Sequence, residues 1–187
     1  MPPIPKVLKE DLLETAFRIT EEEGIDAVTS RNIAKRLGCS IQPVFSHFPT
    51  MKELRNSTFD YACRKWTKEI MAFADCEDFF AQVTKWVLNL ARNKPNLFKL
   101  LYLSDRFHDE QMIDIIMKFD SNKKMLDYMQ KLYALPLEVC KDIIMRSGLF
   151  LLGISTMICI NHVPFTDDQV ASLMSQTIKD MVNGAKK

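Results

Sequence analysis

The chain has 187 residues, 47% of them apolar and 26% charged, with 25 basic against 24 acidic side chains and a net charge of +1. That length allows one large domain or two small ones around a real core, and so even a balance excludes bulk attraction to nucleic acid as the basis of any function. Only 5 glycines leave little turn chemistry for a series of hairpins, whereas 12 Phe and 11 Met suit an adaptable helical interior, so the composition points to an all-α protein.

Pro5 precedes the first helical pattern, in which Leu8, Leu12, Leu13, Ala16, Phe17 and Ile19 mark one face and Gly24 supplies the stop. Thr29 is a favourable N-cap for a second helix with Ile33, Ala34 and Leu37 on its apolar side. Gly38 provides the positive φ of a tight turn. Ser40 is expected to cap a third helix. Pro43 falls in its first turn, where a missing N–H costs little, and Val44 and Phe48, four apart, face inward. Residues 29–48 thus read as helix, glycine turn, helix. This is a helix-turn-helix, whose second helix can enter a DNA major groove.

Thr50 and Glu53 have capping-box spacing and open a long fourth helix that runs past Trp66 towards Phe73. Residues 75–78 break the pattern. Phe79, Val83, Trp86, Val87 and Leu90 then repeat at helical spacing, and Pro95 starts a helix with Phe98, Leu101 and Tyr102. Met112, Ile116 and Phe119 mark the next, which Met125, Met129, Leu132 and Tyr133 continue after the polar residues 120–124. The Leu135-Pro136 boundary precedes a long helix over 137–162. Its strongly apolar part, 149–160, is shorter than the ~20 residues that span a bilayer, so it reads as a buried helix. Thr166 and Gln169 form a second capping box, opening a last helix striped with Val170, Leu173, Met174, Thr177, Ile178, Met181 and Val182. The sum is about nine helices. A DNA-binding unit over 6–66 is expected to pass through the fourth helix into a larger unit over 67–187.

Charge is sorted along the chain. Over 29–56 the basic residues Arg31, Lys35, Arg36, Lys52 and Arg55 face one acid, Glu53, while the first helix carries Glu10, Asp11, Glu14, Glu21, Glu22 and Glu23. A local basic face is what phosphate contact needs. Thr29, Ser30 and Arg31 stand at a helix N-terminus, where amides and hydroxyls can meet a phosphate, although capping alone also explains Thr29. Arg31 has the fork to reach a guanine edge. Gln42 can pair with adenine, and Ile41 and Pro43 can pack on a thymine methyl.

Leu12-Leu13, Ala16-Phe17, Gly24, Thr29, the run Ile33-Ala34-Lys35-Arg36-Leu37-Gly38-Cys39-Ser40, then Val44-Phe45-Ser46-His47-Phe48 and Lys52-Glu53-Leu54 together resemble the tetracycline-repressor (TetR) family of bacterial regulators, over about residues 6–66. The resemblance implies an all-α homodimer whose last two helices form an intersubunit four-helix bundle and whose middle helices enclose a small-molecule pocket. It also implies that Ser40, Ile41, Gln42, Pro43, Phe45 and Ser46 lie on the DNA-facing segment, with His47 and Lys52 as phosphate clamps. Phe45 stands where the family usually has a tyrosine, Ile41 and Ser46 where basic residues are common, and Thr20 where a bulky apolar residue is frequent. Trp66, Trp86, Phe98, Tyr102, Phe107, Met112 and Tyr128 are candidates to line a pocket, although ordinary core packing also explains each of them.

Five cysteines, at 39, 63, 76, 140 and 159, with no C-x-x-C, argue against a disulfide framework and a zinc site. His108 with Asp105 and Asp109 is too sparse a set for a metal. The N-terminus lacks the order of a signal peptide, which with free thiols points to the cytoplasm. No Ser/His/Asp set, paired carboxylate or phosphate-binding glycine loop stands out, so neither enzyme activity nor a cofactor is expected. The expected function is a ligand-responsive transcriptional regulator, a repressor released from a palindromic operator by a small molecule. The alternative is an all-helical small-molecule binding or interaction protein whose helix-turn-helix no longer reads DNA.

Overall fold

The computed structural model describes residues 7–73, 79–104 and 120–186. They form α1 (Lys9–Glu23), a 3-10 turn (Ile25–Ala27), α2 (Ser30–Leu37), α3 (Gln42–His47), α4 (Met51–Met71), α5 (Phe79–Asn93), α6 (Pro95–Tyr102), α7 (Asp120–Tyr133), α8 (Leu137–Asn161) and α9 (Asp167–Ala185). Among the described residues there are nine α-helices and no strand, as composition and periodicity predict. The chain divides into two compact units, Met1–Lys65 with Lys94–Leu103 and Trp66–Asn93 with Ser104–Lys187. The division falls within α4, between Lys65 and Trp66.

In the N-terminal unit, α1 begins where the Asp11 carboxylate accepts the Leu8 N–H at 2.9 Å. Leu8 is the N-cap and 55% exposed, so it is not part of the apolar face; its side chain precedes the first helical turn. The helix stops at Gly24, whose φ of 90° L side chains rarely adopt and whose N–H returns to Thr20 O at 2.9 Å. Thr20 is fully buried. Its hydroxyl donates to Ala16 O at 2.8 Å, which lets a polar side chain occupy a core position. Leu12, Ile19, Ile33, Val44 and Leu54 are completely buried in one cluster, each contributing roughly 1.5–3 kcal/mol.

A distant piece of chain completes this unit. Helix α6 packs on α1, where Lys94 pairs with Glu21 at 2.8 Å and Asn96 Nδ2 donates to Glu21 O at 3.3 Å.

The C-terminal unit is built around α8, which packs against α5, α7 and α9. Ile143, Ile144, Ser147, Leu151, Ile154 and Ile158 form its buried side. The continuous helix is longer than the apolar stretch that marks it in the sequence. At 25 residues and a mean hydropathy of 2.0 in its most apolar window, it has the length and composition of a membrane span. Within this unit, packing on three helices accounts for its apolar buried side. Helix α9 starts at the Thr166 capping box, with Thr166 Oγ1 accepting from Gln169 N at 3.2 Å and Thr166 N donating to Gln169 Oε1 at 2.8 Å. Arg92 of α5 holds that start, pairing with Asp167 and donating to Phe165 O at 2.7 Å. Of the predicted α9 stripe, Val170, Met174, Ile178 and Val182 are buried, while Leu173 faces outward.

Candidate nucleic-acid interface

Local chemistry explains the shape of residues 29–48. Thr29 Oγ1 accepts from Asn32 N at 3.2 Å, and Asn32 Nδ2 donates to Ala27 O at 2.8 Å, so both sides of the α2 start are tied. At its other end Gly38 adopts φ 64°, with its N–H directed to Ala34 O and Lys35 O, while Cys39 N donates to Ala34 O at 3.0 Å. The paired returns to the last helical turn are a Schellman closure, and glycine takes its left-handed position without strain.

Helix α3 does not start as the sequence suggests. Its N-cap is Ile41, with no side-chain cap hydrogen bond, so Ser40 is exposed in the turn and not the cap. The reason lies in the first turn. Pro43 lacks an N–H and reduces the number of donors a cap would satisfy. Val44 and Phe48 are buried in the core cluster. Consequently Ile41, Gln42, Phe45 and Ser46 share the opposite, solvent-facing side, with Ile41 46% and Phe45 43% exposed. Pro43 is half-buried between the two sides.

The polar groups are unequally available. Thr29 uses its oxygen as an acceptor, which leaves the hydroxyl proton to donate. Ser30 is half-buried in the first turn of α2, and Arg31 is exposed beside it. Ser46 spends its hydroxyl proton on Gln42 O at 2.9 Å. His47 is half-buried, with Nε2 3.2 Å from Val7 O. The neighbouring Phe48 ring carries the Lys9 ammonium 5.2 Å from its centroid.

The basic residues also separate. Arg36 Nη2 pairs with Glu22 at 2.7 Å and Glu23 at 2.6 Å. The guanidinium pulls the Glu22 carboxyl below its usual range, and the two carboxylates raise Arg36. Arg55 donates to Asp26 O at 3.2 Å and Val28 O at 3.4 Å. Both arginines therefore serve the fold. Arg31, Lys35 and Lys52 are exposed, and among the described residues they make no ion pair. Lys35, which the sequence reading does not place among the DNA contacts, is thus a third free cation near the turn. Lys52 lies in the first turn of α4, where Thr50 Oγ1 accepts from Glu53 N at 3.2 Å.

The aromatic side chains proposed for a pocket fall into pairs. Trp66 and Trp86 meet edge to face at 5.2 Å in the C-terminal unit, and Trp86 Nε1 donates to Glu69 at 3.0 Å. Phe98 and Tyr102 meet at 5.2 Å with their rings tilted by 40° on α6 of the N-terminal unit, where Phe98 is fully buried and burial pushes the Tyr102 hydroxyl up. Tyr128 packs on Phe80 at 5.7 Å and, of this set, is the residue that lines a recess of about 240 Å³ in the C-terminal unit. Phe107 and Met112, like Asp105, His108 and Asp109, lie outside the described residues.

Residues 12–58 match the family model described as bacterial regulatory proteins, tetR family. No curated protein matches the chain.

Proposed function

We propose that this chain, a DNA-binding transcription regulator of the TetR family, is a repressor that binds a palindromic operator as a homodimer and is released by a small molecule. The observation that carries the DNA part is the solvent-facing side of α3, where Ile41, Gln42, Phe45 and Ser46 are presented by the buried pair Val44 and Phe48. Gln42 offers an amide for adenine, Ile41 an apolar surface for a thymine methyl, and Arg31 a fork for guanine. Thr29, Ser30, His47 and Lys52 are the proposed backbone contacts, which fix register and carry no sequence information.

The dimer reading is supported by α8. Leu149, Phe150, Met157 and Ile160 form an exposed apolar stripe on the side away from the unit's core, with Leu173 exposed on α9. A second copy of the same two helices would cover it in an isologous interface. Two recognition helices about one helical turn of DNA apart would then meet successive major grooves. An effector would act by binding one dimer state more tightly than the DNA-competent one. As a soluble regulator it would work in the cytoplasm.

A mobility shift with the DNA upstream of the coding sequence tests the reading. Wild-type protein is expected to retard that fragment more strongly than scrambled DNA. Gln42→Ala should weaken the specific complex by about 1–3 kcal/mol and leave non-specific binding intact. Equal loss on both fragments would overturn base readout by Gln42.

A further inference from the structure

The recess of about 240 Å³ in the C-terminal unit lies between α5, α7 and α9. A water's share of liquid volume is about 30 Å³, so there is room for roughly eight waters or a ligand on the order of ten non-hydrogen atoms. Phe80 and Tyr128 stand 58° apart at 5.7 Å and make one apolar wall, and Met174 contributes to another. Thr84 on α5 spends its hydroxyl proton on Phe80 O at 2.9 Å, and the other polar groups gather on α9 and at the end of α7. Ser175 and Lys179, four residues apart, present a hydroxyl and an ammonium on one helix face, and Tyr133 adds a phenol. Burial, then the neighbouring Tyr128, raises Tyr133 above its ordinary value, so it stays a neutral donor. Among the described residues Lys179 makes no ion pair and no carboxylate lines the recess.

An apolar slot with one uncompensated cation and two hydroxyl donors at its edge fits one class of occupant. We propose that this recess binds a small organic monoanion, a carboxylate on a flat apolar body, with the carboxylate on Lys179, Ser175 and Tyr133 and the body against Phe80, Tyr128 and Met174. The proposal rests on the effector-responsive regulator above and names its effector class and site. A neutral ligand of the same shape fills the slot but forgoes the charge-assisted hydrogen bond. A cationic one meets Lys179 with like charge.

Calorimetry on the full chain without DNA tests this with two probes, 3-phenylpropionate and the neutral 3-phenylpropan-1-ol. The acid should bind saturably, one per subunit, and roughly tenfold or more tighter than the alcohol. Lys179→Gln, at an exposed position, should bring the acid down to the level of the alcohol. Ala171→Phe, which fills the recess, should abolish both, with circular dichroism showing that each variant folds. No binding of the acid, equal binding of acid and alcohol, or an unaltered acid affinity in Lys179→Gln would overturn the site. Operator binding is measured separately: its loss with the acid still bound strikes the regulator reading, and the reverse strikes this site alone.

Discussion

Lys65 Nζ lies 2.7 Å from Glu14 Oε2 and joins α4 to α1 within the N-terminal unit. The same carboxylate accepts from Tyr61, and Arg18 pairs with its other oxygen at 3.2 Å. Tyr61 in turn packs edge-on against Phe17 at 5.8 Å, and the Lys65 ammonium sits 4.6 Å from the Phe17 ring centroid. The carboxylate therefore ties α1, which carries much of the core of the N-terminal unit, to α4.

This arrangement sets a pH dependence. Lys65 and Tyr61 hold the Glu14 carboxyl at about 2, below its ordinary 4.5. A carboxyl lowered by folding adds stability above its unfolded pKa, and that stability is lost as pH falls through the folded value. Glu14→Gln should cost about 1 kcal/mol at pH 7, a figure already discounted for partial exposure. Urea unfolding should show the gap closing between pH 4.5 and pH 2. A gap that persists at pH 2 would mean that packing, not charge, sets the difference.

Salt dependence separates the fold-bound from the free cations. Lys52→Ala should reduce the slope of log Kd against log salt by about 0.9 per subunit, as for one lost phosphate contact. Arg36→Gln should leave the slope unchanged, because Glu22 and Glu23 already occupy that guanidinium. Fluorescence anisotropy from 50 to 200 mM salt distinguishes the two, about fourfold in concentration being enough to resolve one contact.

Phe45 is 43% exposed on the solvent-facing side of α3, and its side chain carries no polar atom. Phe45→Tyr extends the ring by a hydroxyl that can donate to a phosphate. Affinity should rise by about 1 kcal/mol on specific and scrambled DNA alike, since a backbone contact carries no sequence preference. A gain confined to the specific fragment would instead place the hydroxyl on a base.

Met157 is 45% exposed in the middle of the α8 stripe. In a two-fold dimer Met157→Glu enters twice, and the dimerisation constant should fall at least about a hundredfold, ~3 kcal/mol, with each buried charge left unpaired. Sedimentation would show a folded monomer. A dimer of unchanged strength would remove α8 from the interface.

Much of this was legible because it is local. Thr29, Gly38 and Thr166 act within four residues of themselves, and their caps form as the spacing predicts. Ser40 fails as a cap because its neighbour Pro43 alters what the first turn needs. Long-range pairing is not local. The acids that engage Arg36 stand 13 and 14 residues earlier, and Asn96 reaches Glu21 across 75. A charge list along the sequence treats Arg36 and Arg55 as surface cations, whereas the fold consumes both. Ligand-site aromatics are the least legible. The same side chains make ordinary core, and burial decides which: Phe98 is fully enclosed, while Tyr128 borders a recess.

The internal pairing of Arg36 and Arg55 bears on how a regulator of the proposed kind would search a chromosome. Non-specific affinity comes almost entirely from counterion release, and a genome offers on the order of a million or more competing sites. On the proposed reading, each arginine withheld from phosphate would weaken every one of those competitors, while the proposed base-edge contacts through Gln42 and Ile41 would be untouched. With two of the five basic residues of 29–56 held internally, such a surface would give up absolute affinity, and in exchange less of the protein would be held on irrelevant DNA at any moment.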